Sequence, residues 1–227
     1  MYLIGISSNC YGAGKTTLAQ GLAGIINNIP GLEGSAAIVS FATPIKEGAT
    51  AMIEKVAGKG PFDKTQVILG DRVTYRDVLL GIGQLARSWD PDFWLKTALY
   101  EMRKMENSKN GPEIFIIDDM RFPNEFKYIN EFPHALPNGS CTIYLNYEGY
   151  KGEAQNAAEG LLDSKSFDIN VVRSEQSTDK IDSLANAYIA FEKIRDDLME
   201  IRECRITANR EYGSGVFAGN CFESELS

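Results

Sequence analysis

Two short stretches carry residue types whose spacing suits phosphate chemistry. The first is Ser7-Ser8-Asn9-Cys10-Tyr11-Gly12-Ala13-Gly14-Lys15-Thr16-Thr17, between an apolar run (Tyr2 to Ile6) and a helical pattern. Gly12 and Gly14 allow a tight turn in which successive N–H groups point at one anion. The helix beginning there adds its positive end. Gly12, Ala13, Gly14, Lys15, Thr16 and Thr17 then surround a phosphate chain. Lys15 reaches the β- and γ-phosphates, and the Thr16 hydroxyl sits on Mg²⁺. Asn9 stands where the usual pattern has a glycine. Asparagine tolerates positive φ better than most residues, so the loop can survive the departure.

The second stretch is Ile114-Phe115-Ile116-Ile117-Asp118-Asp119, an apolar strand ending in two acids. An acid at such a tip approaches Mg²⁺ directly or through water, which points to Asp118. Asp119-x-Arg121 adds a cation at the same edge. Transfer of a phosphoryl group also needs cations around the acceptor. Arg76 and Arg87 are separated by about three helical turns and fall within about 20° of one another. Val78, Ile82, Leu85 and Ala86 fall on the opposite side, expected to be buried, and Arg72 is placed one turn earlier on the arginine face. Spacing alone fits a solvated arginine face equally well. Lys46, after Phe41-Ala42-Thr43-Pro44-Ile45, lies just beyond the second strand, the edge where α/β sheets place ligands. Trp94 and the methionine stripe read more often as core than as site.

The elements that must position these residues alternate. Strands are expected at Tyr2 to Ile6, Ala36 to Phe41, Glu113 to Ile117, Cys141 to Tyr147 and Phe167 to Val172. Helices are expected at Lys15 to Ile29, Ile45 to Val56, Thr74 to Arg87, Asp92 to Met105, Phe122 to Phe132 and Thr178 to about Arg202. Gly58 to Gly70 reads as a loop. The pattern predicts a single α/β domain whose mainly parallel sheet is flanked by helices. A helical acceptor-binding insert is placed at about Ile45 to Glu106, and a tail at about Glu203 to Ser227.

Composition narrows the function classes. The net charge of −8 disfavours nucleic acid as the main partner. Cys10, Cys141, Cys204 and Cys221 form no C-x-x-C pair, so a zinc site or disulfide framework is not expected and the chain reads as cytoplasmic. His134 is the single histidine, which leaves no material for a histidine triad. No apolar run reaches the ~18 residues of a membrane span.

The loop, Phe41-Ala42-Thr43-Pro44-Ile45-Lys46, Tyr75-Arg76-Asp77-Val78-Leu79-Leu80 through Gly83 to Arg87, Asp90-Pro91-Asp92-Phe93-Trp94, and Asp119-Met120-Arg121-Phe122-Pro123-Asn124-Glu125 occur in that order. Together they resemble the bacteriophage deoxynucleoside monophosphate kinases. The similarity spans about Met1 to Asn130, with a weaker echo in Ala158-Glu159-Gly160-Leu161 and Phe167-Asp168. Asn9, and Ala158 beside Glu159, depart from the family's pattern.

The resemblance implies a P-loop kinase fold and Mg²⁺-dependent transfer from ATP to a deoxynucleoside monophosphate, in the host cytoplasm if the chain is viral. It makes Arg76, Arg87 and Arg121 contacts to the acceptor phosphate, with Lys15, Arg87 and Arg121 catalytic. Lys46, Arg72, Trp94, Asp119 and Glu159 would line the acceptor pocket. It also implies a homodimer. A similar kinase for another acceptor, such as dephospho-coenzyme A, and a regulatory NTPase remain alternatives.

Overall fold

The computed structural model describes residues 1–70, 72–132, 139–149, 161–174 and 180–212. In chain order the elements are β1 (Tyr2–Ser8), α1 (Lys15–Asn27), β2 (Ala36–Val39), α2 (Ala42–Ala57), β3 (Val67–Leu69), β4 (Val73–Thr74), α3 (Tyr75–Trp89), α4 (Phe93–Glu106), β5 (Ile114–Ile117), α5 (Pro123–Asn130), β6 (Gly139–Tyr147), β7 (Ile169–Arg173) and α6 (Lys180–Tyr212). Five strands form one parallel sheet in the order β2-β5-β1-β6-β7. The fold is therefore α/β, a parallel sheet flanked by helices.

The chain divides into two compact units, one of Met1–Val39 with residues 101 onward, the other Ser40–Tyr100. In the first, β1 is apolar and buried along almost its whole length, as a central parallel strand must be. Alternation sorts its side chains. Tyr2, Ile4 and Ile6 enter a core with Leu18, Leu22 and Ile26 of α1 and Phe191, Ile194 and Leu198 of α6. Gly5 points to the other face, where an added Cβ would lie 2.9 Å from Ile129 of α5 and 3.0 Å from the Met120 sulfur. Glycine there lets α5 and the segment after β5 come close to the sheet. Leu18, Leu22 and Ile26 recur every fourth residue, so one stripe of α1 is buried. No helix among the described residues is long and apolar enough to cross a membrane.

The second unit is held by smaller clusters: Ile45, Ala86 and Trp94, and Ala49, Ile53 and Tyr75. α3 begins with a capping box. The Thr74 hydroxyl accepts from Asp77 N at 3.2 Å, and the Asp77 carboxylate accepts from Thr74 N at 2.9 Å. α2 ends at Gly58, whose φ of 82° favours glycine.

Several expectations are corrected. Gly58 to Gly70 is not all loop, because β3 pairs there with β4 as a short antiparallel hairpin. α2 starts at Ala42 rather than Ile45, since Pro44 is tolerated in a first turn. The tail is helical as far as Tyr212. As expected, α3 runs unbroken through Gly81 and Gly83.

Leu85 is 52% exposed, not buried. The rest of the expected face packs: Ala86 is buried and Val78 and Ile82 lie against the clusters, in a stripe that Tyr75 and Gly83 extend. Leu85, on the far side, misses that stripe. Arg72 lies exposed in the turn between β3 and β4, so it is not on the face of α3.

Candidate functional site

At the carboxyl ends of β1, β5, β6 and β7, polar side chains from several elements meet. The loop from Ser8 to Gly14 leaves β1 and enters α1, whose N-cap is Gly14 in the left-handed region, φ 103°, without a side-chain cap. Gly12 also has positive φ, 77°. Lys15 folds back, its Nζ donating to Ser8 Oγ at 2.7 Å, and Ser8 Oγ donates to Cys10 O at 2.8 Å. Thr16 Oγ1 donates to Asp118 Oδ2 at 2.7 Å, joining the first turn of α1 to the residue after β5. Asp118 is buried, 8% exposed, and its N–H donates to Val39 O at the end of β2. Thr17 is exposed beside it.

Asn9 has a role that the glycine pattern does not suggest. It is not in the positive-φ region, where Asn110 is the described non-glycine residue, so the loop does not draw on asparagine's tolerance of that conformation. Its side-chain amide instead pairs with a strand residue like a backbone peptide. Nδ2 donates to Tyr147 O at 3.0 Å, and Oδ1 accepts from Tyr147 N at 3.0 Å. Asn27 grips Ala36 in the same way, at 2.9 and 3.0 Å. Asn9 thus ties the loop to the end of β6.

Arg173, the last residue of β7, was not singled out from the sequence. Its Nη1 donates to Ala13 O at 2.8 Å and to Gly12 O at 3.4 Å, and its guanidinium lies 5.0 Å from the Tyr147 ring centre. Nothing local marks it, because its partners are far away in the chain.

Beyond β5, Asp119 and Arg121 are half-buried. The buried Glu125 carboxylate accepts from Arg121 N at 2.8 Å and Phe122 N at 3.0 Å, which fixes the backbone that carries Arg121. The segment from Ser8 to Thr17 and that from Asp118 to Arg121 therefore share one edge of one sheet.

The other expected residues lie in the second unit. Arg76 and Arg87 are half-exposed along α3, and Lys46 is exposed on α2. Arg87 Nη1 donates to Gly83 O at 3.2 Å, and Trp94 Nε1 donates to the same carbonyl at 3.0 Å. Gly83 makes this approach possible, since a Cβ there would lie 3.3 Å from Arg87 Nη1. Trp94 is buried with Ile45 and Ala86, so what it does in the structure is dock α4 on α3. Glu159, His134 and Ala158 lie outside the described residues.

Two strongly perturbed ionisable groups lie elsewhere. Burial pushes the Cys141 thiol up to about 12, and burial with the Asp197 hydrogen bond raises the Tyr2 phenol. Both sit toward the amino ends of their strands, where they report the dry core rather than chemistry. Among the described residues no cluster of three or more His, Cys, Asp or Glu is suited to a metal. A hydroxyl and one carboxylate, Thr16 and Asp118, are hard oxygen donors of the kind Mg²⁺ uses when phosphates and waters complete its shell. No protein-family model matches the chain, and no curated protein matches it.

Proposed function

We propose that the chain is a P-loop phosphotransferase that moves the γ-phosphate of ATP to a deoxynucleoside 5′-monophosphate. The observation that carries this reading is the 2.7 Å hydrogen bond from Thr16 to Asp118, with Lys15 one residue away. It brings a hydroxyl and a carboxylate together at the start of a helix, between adjacent strand ends, where α/β sheets bind ligands.

In this reading the N–H groups from Gly12 to Thr17 cradle the ATP phosphates. Thr16 and Asp118 hold Mg²⁺, partly through water, and the ion supplies charge neutralisation. From its place on Ser8, Lys15 reaches the transferring phosphoryl group. Arg121 holds the acceptor phosphate at the sheet edge, with Asp119 near it in sequence. In the second unit the resemblance implies acceptor contacts for Arg76, Arg87 and Lys46, and Trp94 acts by fixing α3. The acceptor phosphate is already anionic at neutral pH, so positioning and charge stabilisation carry the reaction without a strong base.

A coupled assay of ADP release with each deoxynucleoside monophosphate tests the reading. One or more of them should raise ADP production well above the rate with ATP alone. If none does, the kinase reading fails, and ATP hydrolysis unaffected by any acceptor would favour a regulatory NTPase.

A further inference from the structure

We propose that Arg173 is a positioning residue of the β1–α1 loop that turns the N–H groups of Ala13 and Gly14 toward a bound phosphate; this rests on the nucleotide-binding reading above. In a trans peptide the C=O and N–H point in opposite directions. Gly12 O and Ala13 N–H share one peptide, and Ala13 O and Gly14 N–H share the next. Arg173 Nη1 donates to both oxygens, at 3.4 and 2.8 Å. It therefore fixes both planes with their N–H groups facing away from the guanidinium. Its charge also polarises these peptides, which strengthens their N–H groups as donors.

The surroundings fit this role. An added Cβ on Gly14 would lie 3.1 Å from Arg173 Nη1, so glycine at this position admits the guanidinium as well as the φ of 103°. The other side of the guanidinium faces the Tyr147 ring at 5.0 Å, and the Tyr147 backbone is gripped by Asn9 at both N and O. Arg173 O in turn accepts from Glu148 N at 2.9 Å. The contacts close a circuit: loop to β6 through Asn9, β6 to Arg173 through Tyr147, and Arg173 back to the loop.

Calorimetric titration of the full chain with Mg²⁺–ATP, Mg²⁺–tripolyphosphate and a deoxynucleoside monophosphate tests the role. Tripolyphosphate isolates the phosphate cradle from base and ribose. Arg173→Ala should weaken ATP and tripolyphosphate alike, by about tenfold, the size expected for one charge-assisted contact. It should leave the monophosphate unchanged. Arg173→Lys should fall between, and millimolar guanidinium should restore the alanine variant's tripolyphosphate binding. If circular dichroism shows the alanine variant unfolded, the lysine variant gives the same reading. Unchanged tripolyphosphate affinity in a folded variant overturns the positioning role while the kinase reading stands. Failure of the unsubstituted chain to bind either polyphosphate removes both.

Discussion

The β1–α1 loop and the α2–α4 unit hold their cations in different ways. In the loop, Lys15 is tied to Ser8, and Arg173 to Gly12 and Ala13, by hydrogen bonds that cross between elements. In α3, Arg87 bonds a carbonyl of its own helix, four residues back, and Arg76 lies half-exposed beside the buried stripe. The first arrangement joins separate elements around the loop, and the second holds Arg87 against its own helix. Assembled donors act on charge as it develops and cost no reorganisation at that moment. Cations that only hold the acceptor contribute chiefly to binding.

That difference predicts different kinetic signatures. Lys15→Ala should lower ATP turnover by on the order of 10³-fold, the loss typical of one preorganised donor. Its circular dichroism should match the parent, because Lys15 is not part of the core. An alanine variant with a kcat within tenfold of the parent would place Lys15 outside the reaction. Arg76→Ala and Arg87→Ala should instead raise the KM for the monophosphate about tenfold each, with the KM for ATP unchanged, as when one charged contact to a bound anion is lost. Initial-rate measurements with one substrate varied at a time separate these cases. Unchanged kinetics in both arginine variants would remove α3 from the site.

The strand, loop and helix around Gly12 to Thr17 were legible from an apolar run, two glycines and a helical period in that order. The strand that ends before Asp118 was legible from its apolar run. Asn9 and Arg173 were not. Their partners are 138 and 160 residues away, and such common residue types carry no local signal. On α3 the helix was readable from its period, and most of its buried side with it. Of Val78, Ile82, Leu85 and Ala86, three pack inward with Tyr75 and Gly83, and Leu85 alone is left in solvent. The β3–β4 hairpin escaped notice because strands of three and two residues are too short to show alternation.

The two units also differ in how much core they own, and that yields the smallest effect. The sheet unit buries a large cluster spanning β1, β5, β6, β7, α1 and α6, whereas Ser40–Tyr100 relies on two small ones. Both tryptophans, Trp89 and Trp94, lie in the smaller unit, so their fluorescence reports it alone. Cys141, buried in the sheet, reports the larger one through thiol labelling. In urea at pH 7.5 the fluorescence transition should precede Cys141 labelling; coincident midpoints would show one cooperative unit instead. Raising the pH should narrow the gap. The folded state keeps the Cys141 thiol protonated up to about 12 against an ordinary 9.0, so the stability this gives is intact below pH 9 and is lost as pH climbs toward 12. Tyr2, raised for the same reason, acts in the same direction at higher pH. Each such group costs up to about 1.4 kcal/mol per pH unit once its unfolded form ionises. At pH 10 the labelling midpoint should therefore shift to lower urea relative to the fluorescence midpoint. Cys141→Ala, followed by hydrogen exchange at the β6 amides in place of labelling, should show a smaller shift. An equal shift in that variant would assign the alkaline loss to groups other than Cys141.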